Sequence, residues 1–285
     1  MTPPMRRLGL IGDPVEHSLS PRMHAAGFAA LGIDAEYVRL RVPVGPSGEE
    51  ARTAAVEQAM RELGASGGGN VTVPHKGRAA HVLDEMSDAV RRTGACNCFW
   101  TTAGNRLAGD NTDVTGIASV LSELLEGRAP ADVLVLGAGG AAAAGALAAA
   151  WLGVSVVRVA NRTPARAARL VNGLREAGIT AETEPWPVAG QADVIVNATT
   201  LGLAETDPLP ASFDRVTARL ALDLVYPAVA GAAGTAWTRA AAERGIRAAD
   251  GLEVLVRQGA ACYPHWFGVE GPVSALRAAL AGNAP

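Results

Sequence analysis

A lysine placed just beyond a strand is a candidate proton carrier, and Lys76 closes the run Asn70-Val71-Thr72-Val73-Pro74-His75-Lys76. Polar and β-branched residues alternate over 70–73 as in a short strand, and Pro74 ends it because proline has no N–H for a ladder. An ammonium there, partly withdrawn from water and near a carboxylate, can give a proton to an oxygen and take it back, as carbonyl reduction requires. A solvated loop charge is the other reading of Lys76. Asp113, in Gly109-Asp110-Asn111-Thr112-Asp113, offers a carboxylate ahead of a helix expected over about 114–125. It reads as that helix's N-cap or as the group that positions Lys76, and the two roles are compatible because an N-cap carboxylate stays ionised and points out of the helix end.

Neutral hydrogen-bonding groups lie at matching places. Ser18 and Ser20 follow the short strand Leu8–Ile11 in an extended loop, where two hydroxyls at i and i+2 can face one polyhydroxylated ligand. The simpler role for Ser20 is to cap the next helix, with Pro21 at its first position. Asn197, Thr199 and Tyr226 sit at the carboxyl ends of apolar strands, where doubly wound sheets bind ligands. Gln258 lies one helical turn past Val254 and Leu255, placed to reach a ligand hydroxyl while its neighbours pack.

A second kind of chemistry is written in the strand Ala131–Leu136, the turn Gly137-Ala138-Gly139-Gly140-Ala141-Ala142, an alanine-rich helix and a strand at Val154–Ala160. The glycines permit a tight turn and close approach of a pyrophosphate to the helix N-terminus, the dinucleotide fingerprint. An NAD-type site would end the second strand in Asp or Glu, whereas this chain has Asn161-Arg162-Thr163-Pro164-Ala165-Arg166. Two guanidiniums suit a 2′-phosphate, so NADP is the expected cofactor. Positive charge at a helix start is mildly unfavourable with the helix dipole, and a bound anion accounts for the pair better than a solvated surface does.

These residues need a scaffold, and the hydrophobic pattern supplies it. Before the glycine turn it predicts a helix from about Pro21 through His24, Phe28 and Leu31 to Gly32, a strand over 36–42, a helix over 49–63 with Ala55, Ala59, Met60 and Leu63 inward, a helix over 81–92, and a strand over 94–100 turning at 103–105 into 106–109. After it come a helix to about Ala177, strands over 180–183, 193–197 and 220–224, a loop over 198–203, a helix over 235–244, a helix from Asp250-Gly251 and a last helix over 273–280. The fold class is α/β. An N-terminal α/β substrate domain, 1–113, is completed by helices in 251–285, and a C-terminal Rossmann-type doubly wound domain fills 114–250.

Composition narrows the remaining classes. Of 285 residues 49% are apolar and 19% charged, with a net charge of -3, so no basic patch invites nucleic acid. The run 138–154 is too rich in alanine and glycine, and slightly too short, for a membrane span. No signal-peptide pattern stands at the N-terminus, so a cytoplasmic location is expected. Cys96, Cys98 and Cys262 are an odd count without zinc spacing and are expected as buried reduced thiols, with no metal. The expected partner is a small molecule; a homodimer is compatible with the sequence but not required by it.

With these blocks laid out, the chain resembles the shikimate dehydrogenase family nearly end to end, in GDPVEHSLSPRMH at 12–24, NVTVPHK at 70–76, GACN at 94–97, GDNTD at 109–113, GAGGAA at 137–142, NRTPARA at 161–167, VNAT at 196–199, DLVY at 223–226, and DGL with Gln258. The resemblance implies that Lys76 and Asp113 are catalytic and that Ser18, Ser20, Thr72, Asn97, Tyr226 and Gln258 hold the substrate's carboxylate and hydroxyls. It assigns Gly137, Ala138, Gly139, Gly140, Ala141, Asn161, Arg162, Thr163, Arg166, Thr199, Leu224 and Gly251 to the cofactor. The implied reaction, a step of aromatic amino acid biosynthesis, passes a hydride from NADPH to the C3 carbonyl of 3-dehydroshikimate while Lys76 supplies the proton. Ala25, Cys98, Val114 and Val254 depart from the family pattern, and quinate and aminoshikimate are the alternative substrates. Ser20 stands where quinate-using relatives tend to carry threonine, which with the arginine pair favours shikimate and NADP. The reading from another class is a non-catalytic NADPH-binding regulator, against which the intact Lys76 and Asp113 argue.

Overall fold

Strands and helices alternate along the chain and gather into two sheets, one per unit. The computed structural model describes residues 5–45, 48–202, 206–227 and 234–281. The first unit joins Met1–Thr112 to Gln258–Pro285, and the second is Asp113–Arg257.

The first unit begins with β1 (Arg6–Gly12), α1 (Ser20–Leu31), β2 (Ala35–Arg41), α2 (Glu49–Gly64), β3 (Gly67–Val71), α3 (Lys76–His81), β4 (Glu85–Met86), α4 (Asp88–Thr93), β5 (Cys98–Thr101) and β6 (Leu107–Asp110). Its sheet runs β2-β1-β3-β5-β6-β4. β1 is parallel to β2 and β3, whereas β5 is antiparallel to β3 and β6. Apolar residues of α2 (Val56, Ala59, Met60, Leu63) meet Ile11, Val71, Phe99 and Leu107 in one buried cluster. α1 stops where Gly32 adopts a left-handed conformation and its N–H returns to the carbonyls of Ala29 and Phe28.

Several expected boundaries move. The strand expected over 70–73 is instead Gly67–Val71, and its glycines are there for packing. A Cβ on Gly69 would lie 2.3 Å from the Gly9 carbonyl oxygen, so only a bare backbone fits between β1 and β5. Lys76 is the first residue of α3, not a loop residue. The single helix expected over 81–92 is broken by β4, which pairs with β6, and α4 restarts at Ser87, whose side chain accepts from the Val90 N–H. Ser20 does not cap α1: Leu19 is the cap residue, in helical conformation, and no side chain bonds the cap. Val56, not Ala55, faces inward from α2.

The second unit contains α5 (Thr112–Leu124), β7 (Asp132–Leu136), α6 (Gly140–Trp151), β8 (Val156–Ala160), α7 (Pro164–Glu176), β9 (Ala181–Glu184), β10 (Gly190–Asn197), β11 (Val216–Asp223), α8 (Ala236–Ala242), β12 (Arg247–Ala249) and α9 (Gly251–Ala260); α5 and α9 each span a boundary between units. Its six strands are all parallel in the order β12-β11-β10-β7-β8-β9. The order reverses at β7, so a crevice opens outside the carboxyl ends of β7 and β10. Asp113 lies in the first turn of α5 and not at an N-cap, because the helix starts at Thr112. Leu134, Leu136, Ile195, Phe213 and Trp237 anchor the core, and the Trp237 indole N–H donates to the Ala211 carbonyl at 3.1 Å.

The chain then returns to the first unit through α10 (Tyr263–Phe267) and α11 (Val273–Ala281), which packs on α1. α10 has no counterpart in the sequence pattern; its aromatic residues close a cage around His24, whose ring lies 4.5 Å from that of Tyr37 and 5.2 Å from that of Trp266. The Trp266 indole donates to the Phe99 carbonyl at 3.1 Å and the Arg6 guanidinium to the Trp266 carbonyl at 2.8 Å, which ties α10 to the sheet.

Candidate active site

In the first unit the expected residues gather where β1 and β3 end and β5 begins. Because β1 and β3 run parallel, the loop after Gly12 lies beside the turn at 72–76: the Thr72 N–H donates to the Ile11 carbonyl at 2.8 Å and the Asp13 N–H to that of Val73 at 3.0 Å. Ser18 is half-buried in that loop, and its hydroxyl accepts from the Ser20 N–H at 3.2 Å; Ser20 itself is buried. Thr72 and Lys76 are half-buried. The Lys76 carbonyl accepts from the Cys96 N–H at 2.9 Å, which fixes the lysine beside the residue that precedes Asn97.

Asn97 and Gln258 meet directly. Asn97 Nδ2 donates to Gln258 Oε1 at 3.2 Å, and Asn97 Oδ1 accepts from the Thr112 N–H at 2.7 Å and the Thr112 hydroxyl at 3.2 Å. Asn70 supports this pair from β3: its Nδ2 donates to the Asn97 carbonyl at 2.9 Å and to Cys262 Sγ at 3.3 Å, and its Oδ1 accepts from the Tyr37 hydroxyl at 2.7 Å. All of these side chains are buried, and amides at that depth hold one orientation because each alternative would leave a polar atom without a partner. Cys96, Cys98 and Cys262 are free and buried, and burial raises the thiols of Cys96 and Cys98.

In the second unit, β7 ends in the glycine turn. Gly137 holds a φ of 115°, and a Cβ there would come within 2.8 Å of the Ala198 carbonyl oxygen at the end of β10. Gly139 caps α6 with no side-chain bond, and nothing lies within 4 Å of the place its Cβ would take. Ala138, Gly139, Gly140 and Ala141 are all at least partly exposed, so the first N–H groups of α6 face an open cradle fit for a pyrophosphate. Beyond β8, Asn161 Nδ2 donates to the Thr163 carbonyl at 3.0 Å and shapes the turn into α7. Arg162 and Arg166 are exposed, and among the described residues neither takes part in an ion pair. Thr199, Leu224 and Tyr226 are half-buried beyond the carboxyl ends of β10 and β11. Gly251 opens α9, its N–H donating to the Val225 carbonyl at 2.9 Å. Leu203, at the end of the expected 198–203 loop, lies outside the described residues.

The sequence pattern assigns no role to the residues that support these groups. Asn70, Thr112 and Cys262 hold the amide pair, and Asp223 holds Asn197, their side chains bonded at 2.8 Å. For Asn70 and Asp223 the signal available is a polar residue within or at the end of a strand, which marks a buried partner without naming it; Thr112, at the start of α5, and Cys262, between two helices, carry no such signal. Among the described residues no cluster of three or more His, Cys, Asp or Glu side chains is arranged for a metal, and no helix is long and apolar enough to cross a membrane.

Residues 10–99 match the family model of the shikimate dehydrogenase substrate binding domain. A shikimate dehydrogenase (NADP(+)) of Rubrobacter xylanophilus is 42% identical, covering 97% of this chain and 95% of its own length. One from Halobacterium salinarum is 39% identical over 95% of this chain and 97% of its own. The fold is similar to a crystal structure of shikimate 5-dehydrogenase from Thermus thermophilus in complex with NADP(H) and shikimate, with a TM-score of 0.81, 34% identity and coverage of 97% of this chain and 98% of that one.

Proposed function

The chain belongs to the shikimate dehydrogenase family, and from that premise we propose that it is an NADP-dependent shikimate dehydrogenase interconverting 3-dehydroshikimate and shikimate. The observation that carries this reading is the buried Asn97–Gln258 amide pair, joined at 3.2 Å, with Lys76 tied by its carbonyl to Cys96 alongside. Fixed neutral amides suit ring hydroxyls, and a lysine beside them suits the one oxygen that changes its protonation.

NADPH, when bound, supplies the hydride. Lys76 gives a proton from Nζ to the ketone oxygen as that oxygen gains charge, and in the reverse direction takes the proton from the C3 hydroxyl. Asp113 keeps the ammonium oriented. Asn97, Gln258, Ser18, Ser20, Thr72 and Tyr226 hold the ring hydroxyls and the carboxylate. In the second unit the glycine turn from Gly137 to Ala141 would take the pyrophosphate; Asn161, Arg162, Thr163 and Arg166 would take the 2′-phosphate and its ribose; Thr199, Leu224 and Gly251 would line the remainder. The three free cysteines support a reducing, cytoplasmic setting.

Lys76→Ala is the decisive variant: kcat should fall by about 10²- to 10⁴-fold, with KM for shikimate and NADP changing far less. Near-normal turnover would remove the proposed acid and base. Comparing kcat/KM for shikimate, quinate and aminoshikimate with both nicotinamides should rank shikimate with NADP first, and a higher value for either other acid would reassign the substrate.

A further inference from the structure

Asp223 ends β11 and has no exposed surface. A carboxylate at that depth must be hydrogen-bonded. Its Oδ1 accepts from Asn197 Nδ2 at 2.8 Å and from the Val225 N–H at 3.1 Å, and its Oδ2 accepts from the Thr235 hydroxyl at 2.7 Å. Asn197 ends the neighbouring strand β10, in register with Asp223. Its amide nitrogen therefore points at the carboxylate and at the Leu201 carbonyl, 3.1 Å away, while its oxygen accepts from the Thr199 N–H at 3.0 Å and the Thr199 hydroxyl at 2.7 Å. The Thr199 hydroxyl oxygen in turn accepts from the Leu201 N–H at 3.1 Å.

One amide thus organises residues 198–201, and a reversed amide would set its oxygen against the carboxylate and its N–H groups against the Thr199 donors. The same loop places the Ala198 carbonyl over Gly137. We propose that Asp223 is a positioning residue of the dinucleotide cleft: by holding Asn197 in one orientation it sets the 198–201 loop against the glycine turn, and with it the affinity for the nicotinamide cofactor. The inference rests on the reading of the second unit as the cofactor-binding half.

The hold is geometric and not electrostatic. Burial, with Asp250 adding in the same direction, pushes Asp223 up to about 6. When Oδ2 is protonated it donates to Thr235 Oγ1, and that hydroxyl can turn its own hydrogen to Thr238 Oγ1, 3.3 Å away. Oδ1 keeps both of its N–H donors in either state. Asparagine at 223, with an NH₂ in place of Oδ2, reproduces the same pattern, whereas alanine leaves Asn197 unguided.

The test compares the full-length wild type with Asp223→Ala, Asp223→Asn, Asn197→Ala and the double alanine variant, reading NADPH Kd by nicotinamide fluorescence and KM and kcat by steady-state assay. Asp223→Ala and Asn197→Ala should each weaken NADPH by about tenfold, with the double variant no weaker than the worse single one. Turnover at saturating NADPH should stay within about threefold, and Asp223→Asn should bind as the wild type does from pH 6 to 8. Unchanged NADPH affinity in Asp223→Ala, or an Asp223→Asn variant as weak as it, overturns the proposal. A wild type that does not bind NADPH overturns the cofactor reading instead. Should Asp223→Ala not fold, Asn197→Ala, which removes the amide that the carboxylate holds, decides together with Asp223→Asn: a several-fold weakening in Asn197→Ala beside wild-type affinity in Asp223→Asn supports the role, and unchanged affinity in Asn197→Ala overturns it.

Discussion

The side-chain oxygen of Asn97 receives both the backbone N–H of Thr112 at 2.7 Å and its hydroxyl at 3.2 Å. Those two donors leave the Asn97 amide a single orientation, with Nδ2 directed to Gln258. Asn97→Ala should lower kcat/KM for shikimate by about 10²-fold, the scale expected when an amide that holds a substrate hydroxyl in a buried polar site is removed. Thr112→Val keeps the N–H donor and removes the hydroxyl, so KM for shikimate should rise only by about threefold to tenfold. Steady-state kinetics on both variants checks the order, and an Asn97→Ala enzyme with unaltered kcat/KM would strike Asn97 from the site.

Arg162 and Arg166 flank the start of α7, which carries no acidic residue in its first turn. Arg162→Ala should weaken NADP by about 10- to 100-fold, as expected for removal of a charge-assisted hydrogen bond, and leave NAD nearly unchanged. Binding of the two cofactors by titration calorimetry decides the matter. Equal losses for both would contradict a 2′-phosphate role.

His24 sits within the aromatic cage, where burial holds its imidazole down to about 3, so it is neutral in the folded protein. The unfolded chain takes up a proton there near pH 6.5 and the folded chain does not, so stability falls as pH drops below that value. His24→Phe removes the proton uptake and keeps an aromatic ring in place. Its Tm relative to wild type should therefore be higher at pH 5 than at pH 8, and a difference independent of pH would refute the account.

Asp110 is tied to α4 through the Ser87 hydroxyl and to α10 through His265, 3.3 Å away. Burial alone would raise this carboxyl, but the bonds from His265, Ser87 and the Asn111 N–H outweigh it and hold the group below the usual range. Stability from a depressed carboxyl is present above the unfolded value of about 4 and is lost as pH falls through the folded one. The Tm gap between wild type and Asp110→Asn should be widest near pH 6 and should close toward pH 3 in thermal melts followed by circular dichroism. A gap that stays constant over that span would show the charge to be irrelevant.

The elements legible in the sequence are those with a local cause. β7 is an apolar run ended by a glycine turn, and α1 is stopped by Gly32, so neither needs a distant partner to be recognised. What escapes depends on pairing far along the chain. Glu85 and Met86 form a strand only because β6 lies beside them, so the helix expected over 81–92 breaks there. Ser20 and Asp113 look like caps because their types suit the role, yet each helix begins earlier than the pattern suggests and takes the residue into its first turn. Lys76, Asn97 and Gln258 are legible as individual groups from spacing and resemblance. That Asn70 supports Asn97 and that Asp223 faces Asn197 follows from strand register, and that Thr112 steers the Asn97 amide follows from where α5 starts; composition encodes neither.

The first unit is stitched from both ends of the chain, with Gln258, Cys262 and Trp266 arriving from beyond residue 257, whereas the second is one uninterrupted stretch. On the ribosome the nucleotide-binding half can therefore finish folding as it emerges, while residues 1–112 wait with an unfilled aromatic cage and an Asn97 amide lacking its mate. A nascent polypeptide halted near residue 257 would carry a finished second sheet beside a first unit still short of Gln258, Cys262 and Trp266.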